Sequence, residues 1–196
     1  MRLGPERITA GMVRALNLGC LAARAEVATV ELAGAGAVTC LQGLLTNDVE
    51  KVGDGGFVYG ALLTAKGMIV VEGWAARVGN RVSYTVPRAG RERVAEIFAR
   101  SIPPRLAQVQ DRTDTTAVLR LAGPRALAVA DLANIPLPSA PGRVIDAEIE
   151  DAESLVARPS DLAPFGLQIV TTPEAAGPIE LVGSQRFGLA PRPAGA

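Results

Sequence analysis

The run from Val30 to Met68 constrains the fold more than any other part of the chain. Residues 27–32 read as a strand that enters a corner at Gly34 and Gly36. Beyond the corner, Ala37, Val38, Leu41, Leu44 and Leu45 recur at spacings of three and four, which paints one apolar stripe along a helix over 37–45. Asn47-Asp48 should stop that helix, because Asn tolerates a left-handed backbone and Asp bonds nearby amides. A second strand over 57–64 then runs into a hairpin at Ala65-Lys66-Gly67. Strand, helix, strand and hairpin in that order open a ferredoxin-like unit, so the expected class is α+β.

The unit continues with strands over 68–76 and 81–86, joined by the polar turn Arg77-Val78-Gly79-Asn80. A helix over 88–100 follows, with Val94, Ile97 and Phe98 on one face and Arg91, Glu92, Arg93 and Glu96 on the other. Pro103-Pro104 ends it, an edge strand spans 106–109, and residues 111–114 form a polar turn. Leu121-Ala122-Gly123 with Ala126 then repeats Leu32-Ala33-Gly34 with Ala37, as though one strand, corner and helix had been duplicated. In this second copy a helix covers 125–132, a broken loop 136–142, and strands 143–149, 154–158 and 165–171. Thr172-Pro173 opens a last helix, which Gly177-Pro178 should interrupt. The expected organisation is a lead-in segment over 1–25 with an amphipathic helix at 8–21, a first half over 26–110, a second over 115–187, and a flexible tail over 188–196.

Composition excludes several function classes. With 48% hydrophobic but only 4% aromatic residues, the interior must be filled by Ala, Val and Leu, which favours close packing of helix on sheet. Twenty basic side chains balance twenty acidic ones, so no bulk charge draws the chain to nucleic acid or an anionic membrane. Histidine is absent, which removes Ser-His-Asp and Cys-His triads and His-based metal sites. Cys20 and Cys40 have no CxxC spacing and are too few for a disulfide framework, so a reducing, cytoplasmic setting is expected and Cys40 reads as a small core thiol. No apolar run in the N-terminal segment is long enough for a signal peptide or a spanning helix.

Four spaced pieces then agree in order. They are Leu41-Gln42-Gly43-Leu44-Leu45-Thr46-Asn47-Asp48-Val49, Tyr59-Gly60-Ala61-Leu62-Leu63-Thr64-Ala65-Lys66-Gly67, Tyr84-Thr85-Val86-Pro87 and Leu121-Ala122-Gly123-Pro124-Arg125-Ala126. Over residues 27–172 the chain resembles the folate-binding domain of the glycine-cleavage T-protein (aminomethyltransferase) and of relatives that use tetrahydrofolate in iron–sulfur enzyme maintenance. The resemblance implies two interlocked ferredoxin-like βαββαβ halves, without that family's C-terminal β-barrel. It also implies tetrahydrofolate as the cofactor. Tyr59 would line the folate pocket by stacking or hydrogen bonding, and Lys66 would meet the carboxylates of a glutamyl tail. Val86 and the backbone at Pro87-Arg88 would touch the pterin, with Arg88 supplying a charge, and Asn47 with Asp48 would hold the pocket wall. Each has a plainer reading: a half-buried strand tyrosine, a solvated turn lysine, and a helix-start arginine pointing to water.

The departures matter more. Where the resemblance puts the catalytic carboxylate, this chain has Val71, which cannot transfer a proton; Glu72 beside it would face the other side of a regular strand. Pro164-Phe165-Gly166-Leu167-Gln168 stands where a pterin-binding glutamate is expected, and Pro87 where aminomethyltransferases place Asn. The Lys66-Gly67 hairpin leans toward the iron–sulfur relatives, but their Lys-Gly-Cys signature is missing. No catalytic residue and no metal ligand is therefore expected. One reading is a non-catalytic protein that binds a reduced folate in an accessory role in iron–sulfur or one-carbon metabolism. Another is a degenerate scaffold, an adaptor subunit like the small folate-domain subunits of sarcosine-type oxidases. It would meet a partner through the N-terminal segment or the face the missing barrel leaves open. A third is a shortened piece of a longer enzyme, which would expose an apolar face.

Overall fold

The protein is described by a computed structural model over residues 17–64, 66–160 and 163–185. In chain order the elements are β1 (Leu21–Arg24), β2 (Val27–Ala33), α1 (Ala37–Gln42), β3 (Phe57–Leu63), β4 (Ile69–Val78), β5 (Arg81–Pro87), a 3-10 turn (Arg88–Gly90) and α2 (Arg91–Ser101). The chain continues with β6 (Gln108–Asp111), β7 (Ala117–Ala122), α3 (Ala126–Leu132), β8 (Arg143–Ile149), β9 (Ala152–Arg158), β10 (Leu167–Thr171) and α4 (Pro173–Gln185). The strands form two five-stranded sheets, ordered β3-β4-β5-β2-β6 and β1-β7-β10-β9-β8, with antiparallel pairs throughout. Each half thus follows the expected ferredoxin-like course with one strand more, because the hairpin is extended into a three-stranded meander.

Alternation along the strands sorts side chains into three cores. Val30, Leu32, Leu62, Val82 and Tyr84 pack against Val94 and Phe98 of α2. Leu119, Leu121, Val156 and Ile169 pack against Ala130 of α3 and Ala176 of α4. The opposite faces meet each other through Phe57, Trp74, Val118, Leu155 and Val170. Helices therefore cover the outer faces and the two sheets lie back to back, a layered solution that buries both faces of each sheet.

The duplicated corner is visible in the backbone. Gly34 and Gly123 adopt φ of +135° and +109°, a region closed to other residues, so each strand turns into its helix at a glycine. Ala37 N–H then donates to Gly34 O at 3.0 Å and Ala126 N–H to Gly123 O at 3.2 Å. At the next equivalent position, Gly36 N–H bonds Leu106 O just before β6, whereas Arg125 N–H bonds Gly19 O just before β1. β1 thus stands beside β7 as β6 stands beside β2. This corrects the expected boundary at residue 25. Residues 21–24 complete the second sheet, and the chain crosses into the first at Ala25, whose N–H bonds Val118 O at 2.8 Å. The halves interlock because the last strand of the second unit is supplied from the N-terminal side of the first.

Three local expectations change. Helix α1 ends at Gln42, three residues early, because residues 45–47 turn to line the edge of β3: Thr46 N–H bonds Ala61 O and Ala61 N–H bonds Thr46 Oγ1. Asn47 is not left-handed; among the described residues the non-glycine positions with positive φ are Asn134, Glu150 and Asp151. Helix α4 runs through Pro178, whose ring is exposed, so the lost N–H donor lies on the solvent side where water can take the freed carbonyl. The expected helix at 8–21 falls mostly, and the tail wholly, outside the described residues, and Leu21 already belongs to β1. No helix among the described residues is long and apolar enough to cross a membrane.

Candidate functional site

Strand register brings Tyr59, Trp74 and Thr85 side by side on the inner face of the first sheet. Trp74 stacks on Phe57 at 4.8 Å between centroids, tilts against Tyr59 at 5.2 Å, and meets the edge of Phe165 at 5.2 Å. Phe165 in turn lies under the Arg120 guanidinium, 4.6 Å from its carbon. Polar groups thread through this aromatic cluster. Arg120 Nε donates to Gln168 Oε1 at 3.0 Å, Gln168 Nε2 donates to Thr85 Oγ1 at 3.2 Å, and Thr85 Oγ1 donates to Trp74 O at 3.3 Å. That chain ties the two sheets together with its buried members satisfied. Burial draws the Arg120 guanidinium below its ordinary range.

Tyr59 is the outermost ring, 43% exposed. Partial burial and the nearby Glu72 carboxylate push it above the ordinary range of a tyrosine. Beneath Tyr59, Asn47 Nδ2 donates to its carbonyl at 2.9 Å while Asn47 Oδ1 accepts from Asp48 N–H, and Asp48 Oδ1 accepts from Lys51 N–H. This pair thus props the wall that carries the tyrosine. Lys66 is exposed in the hairpin after β3. Val86, by contrast, points to the opposite face and is fully buried in the helix-side core. Arg88 lies beyond the end of β5 with Nη2 3.4 Å from Asp114, beside the stronger Arg91 pairs to Asp111 and Asp114. The structure therefore brings Asn47 and Tyr59 together at one mouth of the cleft between the sheets and leaves the Val86 side chain on the far side of its sheet.

Trp74, Phe165, Arg120 and Gln168 complete this mouth, and sequence reasoning did not single them out as a group. A weak signal existed in strand alternation, which puts Trp74 on the Tyr59 face. Val71 is 8% exposed and faces the helices, where Gly90 of the 3-10 turn closes over it. Glu72 takes the other face beside Tyr59, as alternation requires.

Residues 21–140 match the family described as the GCVT N-terminal domain. The chain belongs to that family. An aminomethyltransferase of Rubrobacter xylanophilus is 30% identical over 155 residues, a match covering 75% of this chain and 40% of that protein. The chain thus spans about 40% of the length of this relative. The glycine cleavage system aminomethyltransferase T from Bartonella henselae superposes with a TM-score of 0.72 at 19% identity, covering 85% of this chain and 45% of that one. A chain of the heterotetrameric sarcosine oxidase from Corynebacterium sp. U-96 matches with a TM-score of 0.51 at 15% identity, over 96% of this chain and 99% of its own length. The α+β fold expected from the resemblance is the one observed.

For a GCVT-type domain the implied ligand is a reduced folate, and the mouth fits it in part. Tyr59 offers a half-exposed ring face, and Glu72 accepts hydrogen bonds at its side. Deeper in, Trp74 and Phe165 already meet edge to face, and Pro164 holds no carboxylate. Among the described residues no group of three or more His, Cys, Asp or Glu is placed to hold a metal ion.

Proposed function

We propose that this chain is a non-catalytic GCVT-domain subunit that works inside a larger oxidoreductase or one-carbon assembly. The observation that carries this reading is Val71, an apolar side chain locked beneath the helices at the position where the family resemblance puts the reacting carboxylate. Packing of Trp74 against Phe165 supports it, since the cleft spends its aromatic surface on internal cohesion. The correspondence with one chain of a heterotetrameric sarcosine oxidase supports it too, because there a similar fold is one component of an assembly. Free cysteines at positions 20 and 40 suit a cytoplasmic setting. Native size-exclusion of the source-cell extract, followed by subunit mass analysis, tests the reading. The chain should travel in a complex of fixed stoichiometry. Elution as a free 20.3 kDa species, or one-carbon transfer to tetrahydrofolate by the chain alone, defeats it.

A second reading, accessory binding of a reduced folate in one-carbon or iron–sulfur metabolism, is favoured by the half-exposed Tyr59 ring with Glu72 beside it. Here Tyr59 would stack on the heterocycle and Lys66 would meet its carboxylate tail. Calorimetric titration with tetrahydrofolate should then give saturable heat that Tyr59→Ala removes. Heat indistinguishable from buffer sinks this reading and leaves the first intact.

A further inference from the structure

Ring contacts at the aromatic mouth give it a second chemistry, independent of any ligand. The chain holds one tryptophan and two tyrosines. Trp74 is 8% exposed, and its ring neighbours are Phe57, Tyr59 and Phe165. The two phenylalanine rings resist one-electron oxidation, whereas a phenol gives up an electron more readily than an indole once its proton has an acceptor. Tyr59 stands directly across from Trp74 in the β3–β4 register, 5.2 Å away between centroids. Glu72 pairs with Ala61 in the same register, so it is the diagonal neighbour of Tyr59 on the same face, within reach of a long side chain. Its carboxylate acts on the Tyr59 phenol from there. The other tyrosine lacks such an acceptor. Tyr84 is fully buried in the helix-side core, and its hydroxyl donates to Gly60 O at 3.1 Å, a carbonyl that cannot take the proton away.

We infer that Trp74 and Tyr59 form a one-electron relay that carries an oxidising equivalent from the interior of the cleft to the surface, with Glu72 receiving the phenol proton. A one-electron oxidant of the radical class first removes an electron from the indole. The Trp74 radical cation then takes an electron from Tyr59, the phenol O–H bond breaks, and its proton goes to the Glu72 carboxylate. The indole is restored, and a neutral tyrosyl radical remains on a ring that is 43% exposed. A small thiol or an ascorbate-class reductant in solution returns a hydrogen atom to Tyr59, and Glu72 releases its proton to water. The oxidant is thus reduced by one electron at the expense of the external reductant. Burial of Trp74 beneath Tyr59 places the ring that is hard to reach next to the ring that solution can repair.

Flash photo-ionisation of the full chain, with the ejected electron captured by an added scavenger, tests the relay by transient absorption. The indolyl signal should decay as a tyrosyl signal grows, at a rate independent of protein concentration. Tyr59→Phe keeps the ring and should abolish that growth, whereas Tyr84→Phe should preserve it. Glu72→Gln should slow the transfer about tenfold or more. Under steady illumination with ascorbate present, Trp74 fluorescence should be lost several-fold faster in Tyr59→Phe than in the unaltered chain; this comparison decides the matter should Tyr84→Phe fail to fold. Indolyl decay without tyrosyl growth, a transfer that survives Tyr59→Phe, a rate that Glu72→Gln leaves unchanged, or equal bleaching of the two chains each overturns the assignment.

Discussion

Replacing Val71 by Asp restores, on paper, the carboxylate that the family resemblance expects, and the structure says it will damage the protein instead. The side chain is 8% exposed among Val94, Phe98 and other apolar neighbours, with Gly90 packed over it. An unpaired carboxylate there has its pKa raised by desolvation; a rise of about three units corresponds to roughly 4 kcal/mol at neutral pH. Loss of the buried valine adds about 1.5 kcal/mol. The combined loss is a large part of the ~5–15 kcal/mol that holds a domain together. For a chain of this size it should lower the melting temperature by roughly 10–20 °C. The sign with pH follows from the raised folded pKa. The penalty is full near neutrality and fades as pH falls toward about 4, the unfolded value, where the group is protonated in both states. Urea unfolding followed through Trp74, the one tryptophan, at pH 7 and near pH 4 reads both effects. A Val71→Asp protein with an unshifted midpoint at pH 7 would refute the placement of this side chain.

Other expectations concern the scaffold. Gly73→Ala would drive a methyl into Thr85 O, 2.8 Å from Val86 Cγ1 and 2.9 Å from Tyr84 Cε2, so a loss of about 3 kcal/mol or more is expected in the urea midpoint. Asp54 accepts from Gly79 N–H at 2.6 Å, which with Gly55 N–H and the nearby Arg77 and Arg143 holds its carboxyl below the usual range. Its contribution should be present at neutral pH and be lost on acidification through that lowered pKa, and the acid limb of a stability profile should flatten in Asp54→Ala. Burial pushes the Cys20 thiol up to about 11, whereas Cys40 is partly exposed. A disulfide reagent at pH 8 should therefore modify Cys40 promptly and Cys20 only once denaturant is added.

The sequence by itself determined the elements. Apolar spacing in residues 91–101 and glycines at 34 and 123 mark a helix and two corners through forces acting within a few residues, and the structure keeps all three. Asn47-Asp48 was legible as a wall support but not in its conformation, because the deciding bonds run to β3. Tertiary structure alone assigned residues 21–24 to the second sheet, since an edge strand's partner is chosen by the open edge available and not by its own pattern. It alone also joined Trp74, Phe165, Arg120 and Gln168 at one mouth. Such neighbours lie on different sheets, Gln168 and Thr85 being 83 residues apart, and only the closing of one sheet on the other makes them meet.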